Sequence, residues 1–215
     1  MPHNIEIPDY VIERIMAKRG KLEVFDRFEA AKTAFLVIDM QNFYVAEVDT
    51  AISIVPNINR IAAACREKSV PVIWVIMTVA DEVGAPSQWR LYHEYFFTNA
   101  KGKNHLTQLS EGHKGHELYP DLDVKDGEEI VHKKRFSPFI IGSSDLHDRL
   151  QEKGIENLIV AGTATNMCSE STARDAMMLD YKVVMVGDAN AAPVSYTHLR
   201  AHETRHDLVC RLLLE

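Results

Sequence analysis

Ala34-Phe35-Leu36-Val37-Ile38-Asp39 is an unbroken apolar run closed by an acid. A strand with one wet face alternates apolar and polar residues, so a continuous run of this length fits a strand covered on both faces in a parallel sheet. Four further segments read the same way: Val72 to Thr78, the shorter Glu129 to His132, Leu158 to Ala161, and Lys182 to Val186. Segments of helical period lie between them. From Ser53 to Lys68 the apolar residues Ile54, Val55, Ile58, Ile61, Ala62 and Cys65 recur at intervals of three and four, with Ser53 suited to the N-cap. Ser144 to Lys153 and Ser169 to Leu179 are the other helices. Strands alternating with helices define an α/β fold, a doubly wound open parallel sheet with helices on both faces.

Outward from this frame, residues 1–33 form an N-terminal arm with one short helix, since Val11, Ile12, Ile15 and Met16 share a face and Gly20 is a natural stop. Residues 34–193 form the domain. Within it, the segment from Val79 to about Pro120 has no sustained period but carries Trp89, Tyr92, His93, Tyr95, Phe96 and Phe97. A stretch of that length in a compact domain is usually a lid, a binding loop or a subunit contact. The helical spacing of Tyr92, Tyr95 and Phe96 favours core or a subunit interface over ligand binding, and with it a homo-oligomer. Residues 194–215 change character, with His198, His202 and His206 among three arginines. The stretch from Val194 to Thr204 resembles translated sequencing-adapter read-through, so the tail reads as non-native; the alternative is an amphipathic helix with Leu208, Leu212 and Leu213 on one face.

The composition narrows the function classes. Of 215 residues, 24 are Lys or Arg and 31 Asp or Glu, a net charge of −7 without a basic stripe, which disfavours nucleic acid and anionic membrane surfaces as partners. The longest apolar stretch, Val70 to Ala80, is about half of the roughly 20 residues a membrane-spanning helix needs. The N-terminus has no basic flank followed by an apolar region, so the expected location is cytoplasmic. Cys65, Cys168 and Cys210 are odd in number and widely spaced, which argues against a disulfide framework and a thiolate zinc site.

In open α/β sheets, ligands bind beyond the carboxyl ends of the strands. Three of those ends carry chemistry: Asp39, the cluster His132-Lys133-Lys134-Arg135, and Gly162-Thr163-Ala164-Thr165-Asn166-Met167 leading into Cys168 at the start of a helix. A cysteine there feels the positive helix end, and a nearby ammonium would lower its thiol further, making thiolate accessible near neutral pH. Taken singly, each residue has a plain structural reading: Asp39 a cap, Lys133 a solvated charge, Cys168 an inert buried thiol.

Together, the segments Phe35 to Asn42, Val131 to Phe139 and Gly162 to Ala176 resemble the isochorismatase-like cysteine hydrolase family, with all three motifs in order. The resemblance implies an Asp39, Lys133, Cys168 triad. Lys133, not Lys134, holds the lysine position two residues before Arg-aromatic-Ser. It also implies a cis peptide between Thr163 and Ala164, with the N–H groups of Ala164 and Cys168 forming an oxyanion hole. Nicotinamidases of the family carry a metal cluster after the second strand; here Thr78-Val79-Ala80-Asp81-Glu82-Val83 offers no histidine, so neither a metal nor any other cofactor is expected. His113 and His116 have a ligand-like interval, but they, His93 and His105 read as solvated loop residues. In isochorismatases proper the nucleophile is not cysteine, so Cys168 disfavours that activity.

The expected function is therefore cleavage of a C–N amide or ureido bond in a small molecule through a thioester, most similar to the ureidoacrylate and N-carbamoyl amidohydrolase types. Gln41, Asn42, Tyr44 and Trp89 are candidate substrate contacts, each equally readable as packing. Relatives continue past Asp188-Ala189 into a further helix and strand, which this chain is expected to lack. The rival reading is a non-catalytic scaffold or an inactive truncated chain; within enzymes, a nicotinamidase-like or isochorismatase activity.

Overall fold

The computed structural model describes residues 9–22, 24–48 and 50–193. They run α1 (Asp9–Arg19), β1 (Thr33–Ile38), α2 (Asn42–Glu47), α3 (Ala51–Glu67), β2 (Val72–Met77), α4 (Arg90–Tyr95), α5 (Asn99–Gln108), β3 (Glu129–Lys133), α6 (Leu146–Glu152), β4 (Asn157–Thr163), a π-helical turn (Thr165–Ser169), α7 (Glu170–Met178) and β5 (Lys182–Ala191). The five strands form one parallel sheet in the order β3-β2-β1-β4-β5. Phe35 of β1 sits in register with Val72 on one side and Ile159 on the other.

Every residue of β1, β2 and β4 is buried, which accounts for their unbroken apolar runs. Alternate β1 side chains enter two separate cores. Ala34, Leu36 and Ile38 pack with Leu146 and Leu150 of α6 and Ala173 and Ala176 of α7. Phe35 and Val37 pack with Ile54, Val55, Ile58, Ile61, Ala62 and Cys65 of α3. Helices thus cover both faces, and Cys65 is a core residue of α3. Among the described residues, no helix is long and apolar enough to cross a membrane.

The arm forms α1, with Val11 and Ile15 buried, and it ends where Gly20 takes φ +72° and donates back to the Met16 carbonyl. Helix α3 starts at Ala51, so Ser53 lies within its first turn, its hydroxyl donating to the Thr50 carbonyl. The stretch from residue 79 to 120 contains α4 and α5. Only His93 is buried in α4 and only Gly102 and His105 in α5, so neither carries the apolar stripe by which periodicity is recognised. Tyr95 and Phe96 are exposed rather than core. The tail at 194–215, Cys210 within it, and the expectation about a final helix and strand lie outside the described residues.

Candidate active site

The strand order reverses between β1 and β4, and the crevice at their carboxyl ends is where a doubly wound sheet holds ligands. Asp39 stands there, one residue past β1, at φ +50°. Short polar residues tolerate this left-handed conformation better than others. It is held from both sides: the Asp39 N–H donates to the Val75 carbonyl at 2.8 Å, and the Asp39 carbonyl accepts from Thr163 Oγ1 at 2.8 Å. On β4, Gly162 takes φ +120°, and a Cβ there would fall 2.0 Å from the Ile38 carbonyl oxygen. Only glycine lets the two strand ends approach this closely.

Lys133 is the last residue of β3, one beyond the expected end of that strand. With strands about 4.8 Å apart, β3 lies roughly 10 Å from β1, a span that a long cationic side chain can bridge. The Lys133 Nζ reaches 2.8 Å from Asp39 Oδ2, and both side chains are fully buried. The same ammonium donates to Cys168 Sγ at 3.4 Å and to the Arg135 carbonyl at 3.1 Å. Beyond the ion pair, no well-angled hydrogen bond occupies the Asp39 oxygens, which leaves a lone pair for the nearby thiol.

Cys168 lies in the π-helical turn that precedes α7. The Ala164 carbonyl accepts from the N–H groups of Met167 and Ser169 at 3.0 and 3.2 Å, wrapping the turn around Ala164. The Thr163–Ala164 peptide is cis. π-Helical turns recur at functional sites, where they re-aim side chains.

Burial sets the electrostatics. It pushes the Cys168 thiol well above its ordinary value, and the Asp39 charge adds to that push, together outweighing the pull of Lys133. Burial thus opposes the thiolate that a helix start and a nearby ammonium favour, since Cys168 is only 4% exposed and its sulfur has little access to water. Burial likewise raises the Asp39 carboxyl, against Lys133 first and the thiol contact next. On Lys133, burial opposes the charge, but Asp39 and Cys168 prevail and hold the ammonium above its ordinary value.

The remaining candidates divide. The Gln41 amide is spent on the backbone: its Nε2 donates to the Met77 and His116 carbonyls at 3.0 and 2.8 Å, and its Oε1 accepts from Met77 N–H at 2.8 Å. Asn42 Nδ2 donates to the Lys114 carbonyl at 2.8 Å. Both tie strand ends to the long connection. Tyr44 stays beside the triad, close enough that Asp39 and Cys168 add to burial in pushing its phenol up. Trp89 stacks on Tyr92, meets Phe136 edge-on and lies under the Arg135 guanidinium, 5.2 Å from its ring centre.

Histidines read as solvated are buried instead. His93, His105 and His116 are each 9% exposed or less. His116 Nε2 and His132 Nδ1 both meet Thr78 Oγ1, at 2.7 and 2.9 Å, while the His113 ring caps the turn at Gly115. Among the described residues, no three His, Cys, Asp or Glu side chains gather as a metal-binding group. A separate cleft of about 500 Å³, lined by Thr78, Asp81, His132, Lys134, Ser143 and Arg149, opens beside β3 without reaching the triad.

The five-stranded parallel sheet with helices on both faces is that of an isochorismatase-type α/β hydrolase. The isochorismatase domain matches residues 33–212, and the chain belongs to this family. It is similar to the ureidoacrylate amidohydrolase RutB of Pseudomonas savastanoi pv. phaseolicola, 30% identical over 202 residues covering 86% of this chain and 80% of that protein. It is also similar to a probable inactive nicotinamidase of Arabidopsis thaliana, 34% identical over 173 residues covering 77% of this chain and 84% of that one. Among solved structures, a cysteine hydrolase from Pseudomonas syringae pv. phaseolicola 1448A superposes with a TM-score of 0.70 at 25% identity, covering 86% of this chain and 89% of that one. The N-carbamoylsarcosine amidase from Thermoplasma acidophilum shares the fold, with a TM-score of 0.68 at 20% identity, covering 86% and 98%. The protein is a hydrolase whose relatives include named amidohydrolases acting on non-peptide C–N bonds.

Proposed function

We propose that the protein is a cysteine amidohydrolase that cleaves the C–N bond of a small primary amide or terminal ureide through a thioester on Cys168. The observation that carries this reading is the shared ammonium: Lys133 Nζ touches both Asp39 and Cys168, whose side chains are buried with it. In the resting state the thiol is neutral, Asp39 is an anion and Lys133 a cation. Transfer of the thiol proton to Asp39 gives a thiolate, a carboxylic acid and the same cation. Net charge is unchanged, and Lys133 remains in contact with whichever partner is negative, so proton transfer needs no outside solvation.

The thiolate sulfur then bonds to the substrate carbonyl carbon, and the oxygen that gains charge is met by the N–H groups of Ala164 and Cys168. The C–N bond breaks as Asp39 returns its proton to the departing nitrogen. Water attacks the thioester, passing a proton through Asp39 to the leaving sulfur, and frees the acid. Similarity to RutB favours ureido and carbamoyl substrates within this class. The exposed Leu91 and Tyr95 of α4 and Phe96 just beyond it support association of copies into a homo-oligomer.

The test is ammonia release by the purified protein from a panel of amides, ureides and carbamoyl amines. Turnover that disappears in Cys168→Ala is expected. No release across the panel, with rapid alkylation of Cys168 showing an assembled site, would overturn the reading.

A further inference from the structure

A line of polar groups runs away from the triad through the α4–α5 segment, and the proposed chemistry leaves it unused. Tyr44 Oη stands 3.5 Å from His105 Nε2. His105 Nδ1 is 2.8 Å from His93 Nε2. His93 Nδ1 in turn is 3.0 Å from the Trp89 carbonyl oxygen and 2.6 Å from Ser87 Oγ. Rings of Phe43, Tyr92 and Phe97 surround the His105 end. The approach of the two histidines depends on Gly102, where a Cβ would lie 2.7 Å from the His93 carbonyl oxygen and force α5 away from α4.

The direction of the hydrogens follows from the far end. Burial holds both imidazoles below their ordinary value, His105 at about 3 with the Lys133 ammonium and any proton on His93 opposing its charge further, so each ring rests neutral and carries one N–H. We assign the His93 hydrogen to Nδ1, the tautomer in which the 3.0 Å contact with the Trp89 carbonyl, which can only accept, is a hydrogen bond. Ser87 Oγ accepts from the Trp89 N–H at 2.9 Å and, in this tautomer, from His93 Nδ1–H; a Ser87 hydroxyl donating to Nδ1 would instead put the His93 hydrogen on Nε2 and reverse the relay. With the hydrogen on Nδ1, His93 Nε2 is a lone pair, so His105 must donate from Nδ1. That leaves His105 Nε2 as a lone pair too, and the Tyr44 hydroxyl must donate to it.

We propose that this oriented relay commits the single Tyr44 proton away from the triad and presents the phenol oxygen to the substrate as a hydrogen-bond acceptor, selecting carbonyl compounds that bear an N–H. An amide or ureide donates to that oxygen. An ester of the same acyl group offers only lone pairs, which the phenol oxygen repels. Tyr44 is the specificity-determining residue; His105 and His93 act through it and are positioning residues. The proposal rests on the hydrolase reading above.

Two measurements test it. Nitrogen-15 spectra of the histidine-labelled protein, with His93→Gln and His105→Gln for assignment, should show both rings as the neutral Nδ1–H tautomer; an Nε2–H tautomer at His105 would overturn the relay. Tyr44→Phe should lower kcat/KM for a primary amide by about tenfold, the worth of one hydrogen bond, while leaving the matched methyl ester unchanged or faster. His105→Leu should shift the amide-to-ester ratio the same way, and His105→Gln, whose carbonyl can accept from Tyr44, should restore it. Equal losses on amide and ester would overturn the specificity role. Failure to hydrolyse any amide, with Nδ1–H tautomers present, would instead strike the hydrolase reading and leave the relay standing.

Discussion

Replacing Lys133 by Met removes the cation while keeping an unbranched side chain of similar length, so the cavity cost is small. What remains is a carboxylate with no exposed surface and no counter-ion, together with a lost hydrogen bond to the Arg135 carbonyl. Breaking a buried pair from one side costs about 3–5 kcal/mol. The loss should depend on pH in a defined direction. Burial already raises the Asp39 carboxyl above its ordinary 3.8, and Lys133 is the largest influence opposing it, so Lys133→Met lets it rise further. A carboxyl raised in the folded state contributes stability that is present below its unfolded value and lost as pH rises through its folded value, at about 1.4 kcal/mol per unit. The deficit of the variant should therefore be smallest at acid pH, grow as pH rises through the parent's Asp39 value and level off above the variant's higher one. Urea unfolding of parent and variant at a series of pH values measures this. Asp39→Asn with Lys133→Met removes both charges and should be more stable at pH 8 than Lys133→Met alone. A deficit that does not change with pH, or a double variant that loses the sum of the single losses, would refute the account of an uncompensated buried charge.

Cys168→Ala should abolish ammonia release, whereas Cys65→Ala, within the α3 core, should retain it and lose only about 1–2 kcal/mol in urea unfolding. The proposed base must be ionised, so kcat/KM should fall as pH drops, with an acid limb above the ordinary carboxylate range because burial raises Asp39; a limb below pH 3.8, seen on two substrates, would contradict its role as base. Gly162→Ala places a methyl against the Ile38 carbonyl at positive φ and should cost about 3–5 kcal/mol, while Gly127→Ala, at φ +84° with open space around it, should cost about 1–2 kcal/mol; equal urea midpoints would refute the close-approach argument.

The parallel sheet was legible because its central strands are buried on both faces and spell that out as continuous apolar runs at Ala34, Val72 and Leu158. Once those strands are placed, Asp39, Lys133 and Cys168 fall at carboxyl ends, and ligand position in an open sheet follows from topology. What was not legible depends on contacts far apart in sequence. An asparagine or glutamine after a catalytic acid reads equally as a substrate contact or a backbone clasp, and nothing local to Gln41 announces the Met77 and His116 carbonyls that take its amide. The thiol is legible only in part for a related reason: a helix start and a nearby lysine argue for thiolate, but the burial that opposes it is a property of the whole fold.

The α4–α5 segment shows where sequence period stops being informative. Its buried residues are histidines and a glycine, so the segment lacks the apolar stripe that marks an ordinary helix, and its burial combines hydrogen bonds between rings with aromatic contact. A neutral imidazole can be buried only if both ring nitrogens are used, and two in series satisfy each other while leaving one free valence at each end. At one end the Trp89 carbonyl and the Ser87 hydroxyl close the chain, and at the other Tyr44 Oη stands 3.5 Å away. The arrangement that permits a polar segment to pack against the core is thus the same one that fixes the Tyr44 hydrogen. If that packing requirement governs, Gly102→Ala should disturb substrate preference as well as stability, because separating α5 from α4 breaks the relay at its middle link while leaving Asp39, Lys133 and Cys168 in place. Measured amide-to-ester ratios for Gly102→Ala and Tyr44→Phe should then fall together. A destabilised Gly102→Ala protein with the parent ratio would separate the packing role from the orientation of Tyr44.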